Sequence, residues 1–151
     1  DENHELIGIA STKWSLVDTQ TGRITKITPE IIGRYSPEDN KNVFEEVEIA
    51  KLREPEAIDT INPCYTFTVA RRDIDMNQHM HNIYYLDYAV EALPEEVYQN
   101  ENHNEFEIMY KNGAKLGESV NCFYFKEENT HIIVMKNAQD NRLHAIIQLK
   151  S

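Results

Sequence analysis

The second half of the chain carries the clearest hydrophobic patterning. Residues from Tyr65 to Arg71 alternate between apolar and polar, which predicts a strand. The segment after it has apolar residues spaced by three and four, as in a helix that buries one face. That predicted stripe comprises Ile83, Leu86, Val90 and Leu93. Pro94 is predicted to end or kink the helix, because proline donates no backbone hydrogen bond and clashes with the preceding turn.

Further strands are predicted downstream of the helix. They cover Glu105 to Tyr110, Glu118 to Lys126, His131 to Ala138 and Arg142 to Lys150. Short stretches rich in Asn, Gly, Asp and Glu separate them, as expected of turns. A strand, a helix and a run of antiparallel strands indicate an α+β domain in which a curled sheet wraps one helix.

The first half of the chain is less regular. Leu6 to Asp18 is predicted as a strand, and the turn-forming sequence DTQTG follows. A short helix is predicted from Thr28 and Pro29, which are typical of a cap and a first helical residue, to about Tyr35. The stretch 36–63 is rich in charged residues, Asn and Pro, and is predicted to be a linker.

Composition and charge limit the partners. The chain of 151 residues has a formal net charge of −11, which argues against nucleic acid or an anionic membrane as the main partner. No apolar run in the sequence approaches the length of about 20 residues that spans a bilayer. An acidic partner would need a local basic patch, for which the candidates are Lys51, Arg53, Arg71, Arg72, Lys111 and Lys115.

The two cysteines, Cys64 and Cys122, form neither a C-x-x-C pair nor a cluster with the spacing of a zinc site. We predict two reduced thiols in a reducing compartment, no metal and no other cofactor. Cys122 is expected in the core, because it falls in the middle of a predicted strand. The scattered histidines are predicted to be exposed; they are His4, His103, His131 and His144.

Asp75, Asn77 and His79 form a cluster of polar side chains between a predicted strand and the predicted helix. A carboxylate, an amide and an imidazole near a helix N-terminus suit the attack of water on an acyl carbonyl. Asp75 or His79 would take a proton from the water, and Asn77 would orient the water or the carbonyl. A backbone N–H at the helix N-terminus would hold the developing oxyanion. The structural alternative is that Asp75 or Asn77 only caps the helix.

These residues lie in the stretch DIDMNQHMHNIYYLDYAVEALPEEVY, which resembles the acyl-[acyl carrier protein] thioesterase family of plants and bacteria. The family's D-x-N-x-H motif, with the Asn and Tyr that follow it, is matched by Asp75, Asn77, His79, Asn82 and Tyr85. The resemblance implies catalytic roles for the first three and substrate binding by the last two. It extends upstream through GIASTKWSLVDTQTGRITKITPEI and downstream through EIMYKNGAKLGESV.

Members of this family carry two hotdog domains in tandem, each an antiparallel sheet wrapped around one long central helix. The resemblance therefore implies a remnant of a first hotdog at 1–35, a linker at 36–63 and a second hotdog with the catalytic motif at 64–151. The implied activity is hydrolysis of fatty acyl-[acyl carrier protein] to free fatty acid in fatty acid biosynthesis. Acyl carrier protein is then the partner, and because hotdog domains pair sheet to sheet we also expect a homodimer. A bacterial, cytoplasmic protein is expected.

One position departs from the family pattern. The family places a further catalytic carboxylate after the Tyr and basic residue of the strand that follows the helix. Here that sequence is YKNGA, from Tyr110 to Ala114, and it puts Gly113 at the position concerned. The nearest carboxylates along the chain are Glu107 and Glu118. Three outcomes follow from this departure: slow hydrolysis, hydrolysis by Asp75, Asn77 and His79 alone, or no hydrolysis.

Three other functions remain open at this point. The first is a hotdog thioesterase that acts on acyl-CoA. The second is a catalytically silent acyl-binding or dimerisation module, which Gly113 and the incomplete first domain favour. The third is an α+β interaction domain in which D-x-N-x-H is only a helix cap.

Overall fold

The computed structural model describes residues 15–35, 51–100 and 102–150, with the side chain of Asn100 left out. They belong to two compact units, one within residues 1–50 and the other within residues 51–151. Most of the predicted strand Leu6 to Asp18 and much of the predicted linker lie outside the described residues.

The first unit contains a two-stranded hairpin and a short helix. Its elements are β1 (Leu16–Val17), β2 (Ile24–Thr25) and α1 (Pro29–Tyr35). The predicted turn is confirmed, and the Asp18 carboxylate accepts hydrogen bonds from backbone N–H groups within it. The predicted helix is also confirmed. The side-chain oxygen of Thr28 accepts from the N–H of Ile31 at 3.4 Å, as an N-cap residue does.

The second unit is built on a five-stranded antiparallel sheet in the order β3-β5-β6-β7-β4. The strands are β3 (Tyr65–Thr68), β4 (Glu105–Tyr110), β5 (Ser119–Glu127), β6 (Thr130–Asn137) and β7 (Leu143–Lys150). All the strands predicted after the helix are confirmed. The strand predicted to run to Arg71 instead ends at Thr68, because a 3-10 helix (Arg71–Asp73) turns the chain there.

Two helices follow the 3-10 helix, α2 (Asn82–Glu91) and α3 (Glu95–Asn100). Pro94 separates them, so the predicted helix end is confirmed. None of the described helices is long and apolar enough to cross a membrane.

The predicted buried stripe of the helix is right for Leu86 and Leu93, which are partly buried against the core, and wrong for Ile83. Ile83 is 58% exposed, whereas Tyr85, Ala89 and Ala92 are the buried residues of this segment. These three are also spaced by four and three, so they form a competing stripe on a rotated face. Two small alanines let the helix backbone approach the sheet closely, and Leu86 packs at the margin of this contact.

The sheet is covered on both faces. One apolar cluster lies between α2 and the sheet and includes Val69, Tyr85, Val120, Cys122, Ile133 and Ile147. A second cluster lies on alternate strand positions and consists of Ile58, Phe123, Ile132, Val134 and Ile146. Ile58 comes from a 3-10 helix (Glu56–Thr60) within the segment predicted as a linker, so this part of the segment packs on the sheet.

The prediction that the scattered histidines are exposed is wrong for two of them. His131 and His144 are both fully buried, and His103 is half-buried. His4 lies outside the described residues. The physical reason is the double covering of the sheet: a strand residue on either face meets other side chains, as His131 does on the face of Ile133 and His144 on the face of Ile146. The prediction that Cys122 lies in the core is confirmed.

Truncation of Ile147 tests this core. Ile147 is fully buried between the sheet and α2, and replacing it with Ala should lower the free energy of unfolding by about 2–5 kcal/mol, because a cavity remains. Ile83→Ala is the control, and on a half-exposed site it should cost less than about 0.5 kcal/mol. Urea unfolding measures both. Equal losses would instead support the stripe predicted from the sequence.

Candidate active site

Asp75, Asn77 and His79 lie in a loop and not in the first turn of a helix. An antiparallel bridge between Ile74 and Met80 closes the base of this loop. The N–H of Asp75 also donates to the C=O of His79 at 2.9 Å, across the loop. The motif is therefore a small closed structure that precedes α2.

The cap of α2 is His81. Its Nδ1 accepts a hydrogen bond from the N–H of Ile83 at 3.2 Å, which satisfies one of the free donors of the first turn. The alternative in which Asp75 or Asn77 caps the helix is wrong. Sequence reasoning missed this role of His81, although its position two residues before the first apolar residue of the helix was a usable signal.

The Asp75 carboxylate stabilises the loop by accepting hydrogen bonds from its backbone. One carboxylate oxygen accepts from the backbone N–H of Asn77 at 2.8 Å and from that of His79 at 3.3 Å. The other lies 3.4 Å from the Asn77 side-chain amide. Desolvation pulls the pKa of Asp75 upward, but the hydrogen bonds from His79 and Asn77 outweigh it, so the pKa lies below its ordinary value. Asp75 is therefore an ionised hydrogen-bond acceptor at neutral pH.

A second carboxylate, that of Asp73, holds the base of the loop in place, and this role was not predicted from the sequence. Asp73 is fully buried, and its carboxylate accepts from the N–H of Ala70 and the hydroxyl of Tyr88, each at 2.8 Å. Arg72 lies 3.4 Å from its other oxygen. The C=O of Asp73 accepts from the N–H of His81 at 2.7 Å. These contacts tie both ends of the loop to α2.

Ala114 forms the connection to the strand side of the site. Its C=O accepts from the N–H of Met80 at 2.8 Å, and its N–H donates to the hydroxyl of Tyr85 at 2.9 Å. Burial raises the pKa of Tyr85, so its hydroxyl keeps its proton. Within the part of the chain that the structure describes, the Tyr85 hydroxyl donates to no acceptor, so its hydrogen is available to a ligand. The ring of Tyr110 packs edge-on against that of Tyr85, with the centroids 5.3 Å apart.

One cavity of about 390 Å³ brings the predicted site residues together. It is lined by all five, Asp75, Asn77, His79, Asn82 and Tyr85, and also by Met80, His81, Tyr110, Lys111, Asn112 and Gly113. Lys111 is the cationic side chain of this lining and Asp75 the anionic one. Among the residues that the structure describes, no group of His, Cys, Asp and Glu could hold a metal ion.

Gly113 lies directly against the imidazole of His79. A Cβ built on this glycine would lie 2.7 Å from Cδ2 of His79 and 2.9 Å from Cγ. The imidazole therefore fills the space that a side chain at residue 113 would need. The position at which the family resemblance expects a carboxylate is thus adjacent to His79 in space.

The first residue of α2 offers backbone and side-chain donors to the same cavity. The C=O of Asn82 accepts from the hydroxyl of Tyr110 at 3.0 Å. Within the described part of the chain, the N–H of Asn82 donates to no acceptor, as expected for the start of a helix. That N–H is therefore available to an oxygen of a ligand.

Comparison with known proteins identifies related chains. A family model described as the acyl-ACP thioesterase C-terminal domain matches residues 57–149. An oleoyl-acyl carrier protein thioesterase of Arabidopsis thaliana is 24% identical over 140 residues, which are 85% of this chain and 36% of that one. A dodecanoyl-[acyl-carrier-protein] hydrolase of Cinnamomum camphora is 28% identical over 64% of this chain and 25% of its own. The chain thus spans about a third of the length of such curated relatives, or less.

Solved structures establish the fold. A 12:0-ACP thioesterase from Umbellularia californica superposes with a TM-score of 0.71 and 18% identity, over 89% of this chain and 52% of that one. An acyl-ACP thioesterase from Bacteroides thetaiotaomicron gives 0.57 and 22%, over 74% and 44%. The predicted α+β hotdog fold is confirmed.

Gly113→Ala tests the contact with His79. The new Cβ cannot coexist with the present position of the ring, so the imidazole should move while the fold persists, because His79 is exposed and can rotate. Two-dimensional NMR of the imidazole nitrogens should show a clear shift for His79. Gly33→Ala is the matched control, since a Cβ there meets nothing within 4 Å. Unchanged His79 resonances in Gly113→Ala would contradict the contact.

Proposed function

The chain belongs to the acyl-ACP thioesterase family through its C-terminal domain, and we propose that it hydrolyses a fatty acyl-[acyl carrier protein] to free fatty acid and carrier protein. One observation carries the proposal: the five residues that match the family motif line a single cavity although they span eleven positions of the chain, from 75 to 85. The biological setting that we propose is fatty acid biosynthesis.

His79 is the proposed group that activates water. The motif offers Asp75 and His79 as candidates, but the lowered pKa of Asp75 makes it the weaker base. Asp75 serves instead by holding the backbone of residues 77 and 79 in the closed loop. An imidazole can take the proton of water and later return it to the departing thiolate.

Asn77 and the start of α2 complete the proposed mechanism. The Asn77 amide lies beside Asp75 and lines the cavity, so it can orient the water or the acyl carbonyl. The N–H of Asn82 and the hydroxyl of Tyr85 are donors for the oxyanion that develops on the carbonyl oxygen. Such preorganised donors stabilise the transition state more than the ground state, because they are aimed at charge that appears only there.

The proposed partner is an acyl carrier protein, which is itself acidic. The six candidate basic residues are all exposed; they are Lys51, Arg53, Arg71, Arg72, Lys111 and Lys115. Lys111 also lines the cavity, so a docking site that includes it would lie beside the entrance for the acyl thioester. On a chain with a net charge of −11, only such a local patch would attract an acidic protein.

We propose a homodimer as well, since an edge strand exposes backbone donors and acceptors that a second sheet can pair with. β4 is an edge of the sheet, and Phe106 on it is 60% exposed. The domain division stays part of the proposal: a first-hotdog remnant at 1–35, a linker at 36–63 and the second hotdog at 64–151. The division into two compact units supports two parts, but its boundary after residue 50 groups residues 51–63 with the second part, on whose sheet Ile58 packs.

A bacterial cytoplasm is the proposed location, and two free thiols support a reducing compartment. In the native protein a thiol reagent should label the exposed Cys64. Cys122 should react only after unfolding, because its side chain is fully buried and out of reach of the reagent. A disulfide in protein isolated from its native cells would contradict a reducing location.

Turnover of acyl carrier protein loaded with medium and long acyl chains tests the function. Asn77→Ala and His79→Ala should each lower kcat by on the order of a hundredfold, because they remove groups that act on the reacting atoms. Asn102→Ala is the matched control, since this asparagine is exposed and outside the cavity. Unchanged turnover in both motif variants would rule out the assignment, and faster hydrolysis of the same acyl chain on CoA would instead identify an acyl-CoA thioesterase.

A second candidate function is a silent acyl-binding module, and Gly113 favours it. A glycine beside His79 supplies no carboxylate to the cavity. This function predicts that an acyl thioester binds in the cavity without being hydrolysed. Binding measured with no turnover in the folded wild type would select it over the thioesterase.

A further inference from the structure

A polar network lies behind the strand-side wall of the cavity. At its centre is His144 of β7, which is fully buried. Nδ1 of His144 lies 2.8 Å from the C=O of Asn112, and Nε2 lies 3.5 Å from a carboxylate oxygen of Glu118. Glu118 also accepts from the N–H of Lys115 at 3.2 Å and pairs with Arg142 at 3.0 Å. Of the residues in this network, Asn112 lines the cavity and the others do not.

The partners of His144 determine how it acts. A carbonyl oxygen only accepts hydrogen bonds, so Nδ1 must carry a hydrogen and His144 is the donor to Asn112. Nε2 of His144 has no hydrogen-bond partner among the described residues, although a carboxylate oxygen of Glu118 lies 3.5 Å away, so the donation from Nδ1 is what orients the ring. The ring is fully buried among close-packed side chains, so it has little freedom to reorient.

Two consecutive residues of β7 hold the segment that begins at Lys111. The C=O of His144 accepts from the N–H of Lys111 at 2.8 Å. The C=O of Leu143 accepts from the side-chain amide of Asn112 at 2.7 Å. With the donation from His144, residues 111 and 112 are fixed at three points.

The next residue is Gly113, against which the imidazole of His79 lies. Glycine has the largest conformational freedom of any residue and no side chain to restrain it. Its backbone stays in place because its two neighbours are held: Asn112 by β7, and Ala114 by Met80 and Tyr85. The position of the His79 ring therefore depends on the anchor at Asn112.

We propose that His144 is a positioning residue of the candidate active site. It fixes the carbonyl of Asn112, and through it the Gly113 backbone that supports the imidazole of His79. The inference rests on the proposed function only for the consequence in turnover. The placement of His79 and Gly113 is a structural claim that holds without it.

Two variants of His144 separate its contacts. In His144→Asn the amide nitrogen occupies the place of Nδ1 and keeps the donation to Asn112. In His144→Gln the amide nitrogen reaches the place of Nε2 and loses that donation. We expect kcat on acyl carrier protein to fall at least tenfold in His144→Gln and clearly less in His144→Asn. KM should change little in either, since His144 is outside the cavity.

NMR provides the readout that does not need activity. In His144→Gln the amide resonance of Gly113 and the imidazole resonances of His79 should shift, and in His144→Asn they should stay close to the wild type. If the wild type has no turnover, the thioesterase fails while this comparison still tests the positioning. Unmoved His79 and Gly113 signals in a folded His144→Gln protein would overturn the inference.

Two further variants guard against a general loss of stability. Ile146→Val removes one methyl group from the same strand, two residues from His144, without touching the polar network. It should lower Tm and leave the His79 and Gly113 signals in place, and equal shifts in this control would overturn the inference. His144→Leu serves if His144→Gln does not fold, because an apolar side chain suits the buried site and also removes the donation to Asn112. It should shift the Gly113 amide, and an unmoved amide would overturn the inference.

Discussion

The backbone of Ala114 is the point on which the geometry of the cavity depends. This residue is fully buried, and both of its backbone polar groups are used by elements distant in sequence. Its C=O holds Met80 at the end of the motif loop, and its N–H holds the hydroxyl of Tyr85 in α2. A buried backbone group without a partner would cost on the order of 1–3 kcal/mol, so these two bonds fix three walls of the cavity against each other.

The D-x-N-x-H motif itself could be found in the sequence because it is local. Asp75, Asn77 and His79 are close along the chain, and their chemistry is evident from residue type alone. The strands after the helix were also predictable, because turn residues separate clear apolar runs. The helix face was not, because two alanines and a tyrosine form the buried stripe while the more hydrophobic Ile83 is exposed. A hydrophobicity scale ranks isoleucine above alanine, but close packing against the sheet favours the small side chains of the alanines.

The supporting residues could not be predicted, because their roles arise only when distant strands meet. His144 follows Asn112 by 32 positions, and Asp73 meets Tyr88 across 15. Nothing in the pattern around His144 distinguishes a buried donor from an exposed side chain on a strand. The covering of both sheet faces decides that, and it involves Ile58, from a segment whose composition indicates a linker.

Gly113 connects the local motif with this distant support. A residue without a side chain lets the His79 imidazole lie on the backbone, and it leaves the chemistry of the cavity to the loop residues and to donors from α2. The missing carboxylate bears on the rate of the proposed hydrolysis. The missing side chain also determines the shape of the cavity, because it leaves room for the imidazole of His79.

Binding of a non-hydrolysable substrate analogue tests the central claim most directly: that this cavity receives an acyl thioester at His79 and the start of α2. A fatty acyl-pantetheine in which an amide replaces the thioester can be titrated into labelled protein while backbone amide resonances are followed. The largest shifts should fall on Asn77, Asn82 and Gly113, around the acyl carbonyl. Saturable binding with its largest shifts elsewhere in the chain, or no binding to the folded protein, would contradict the claim.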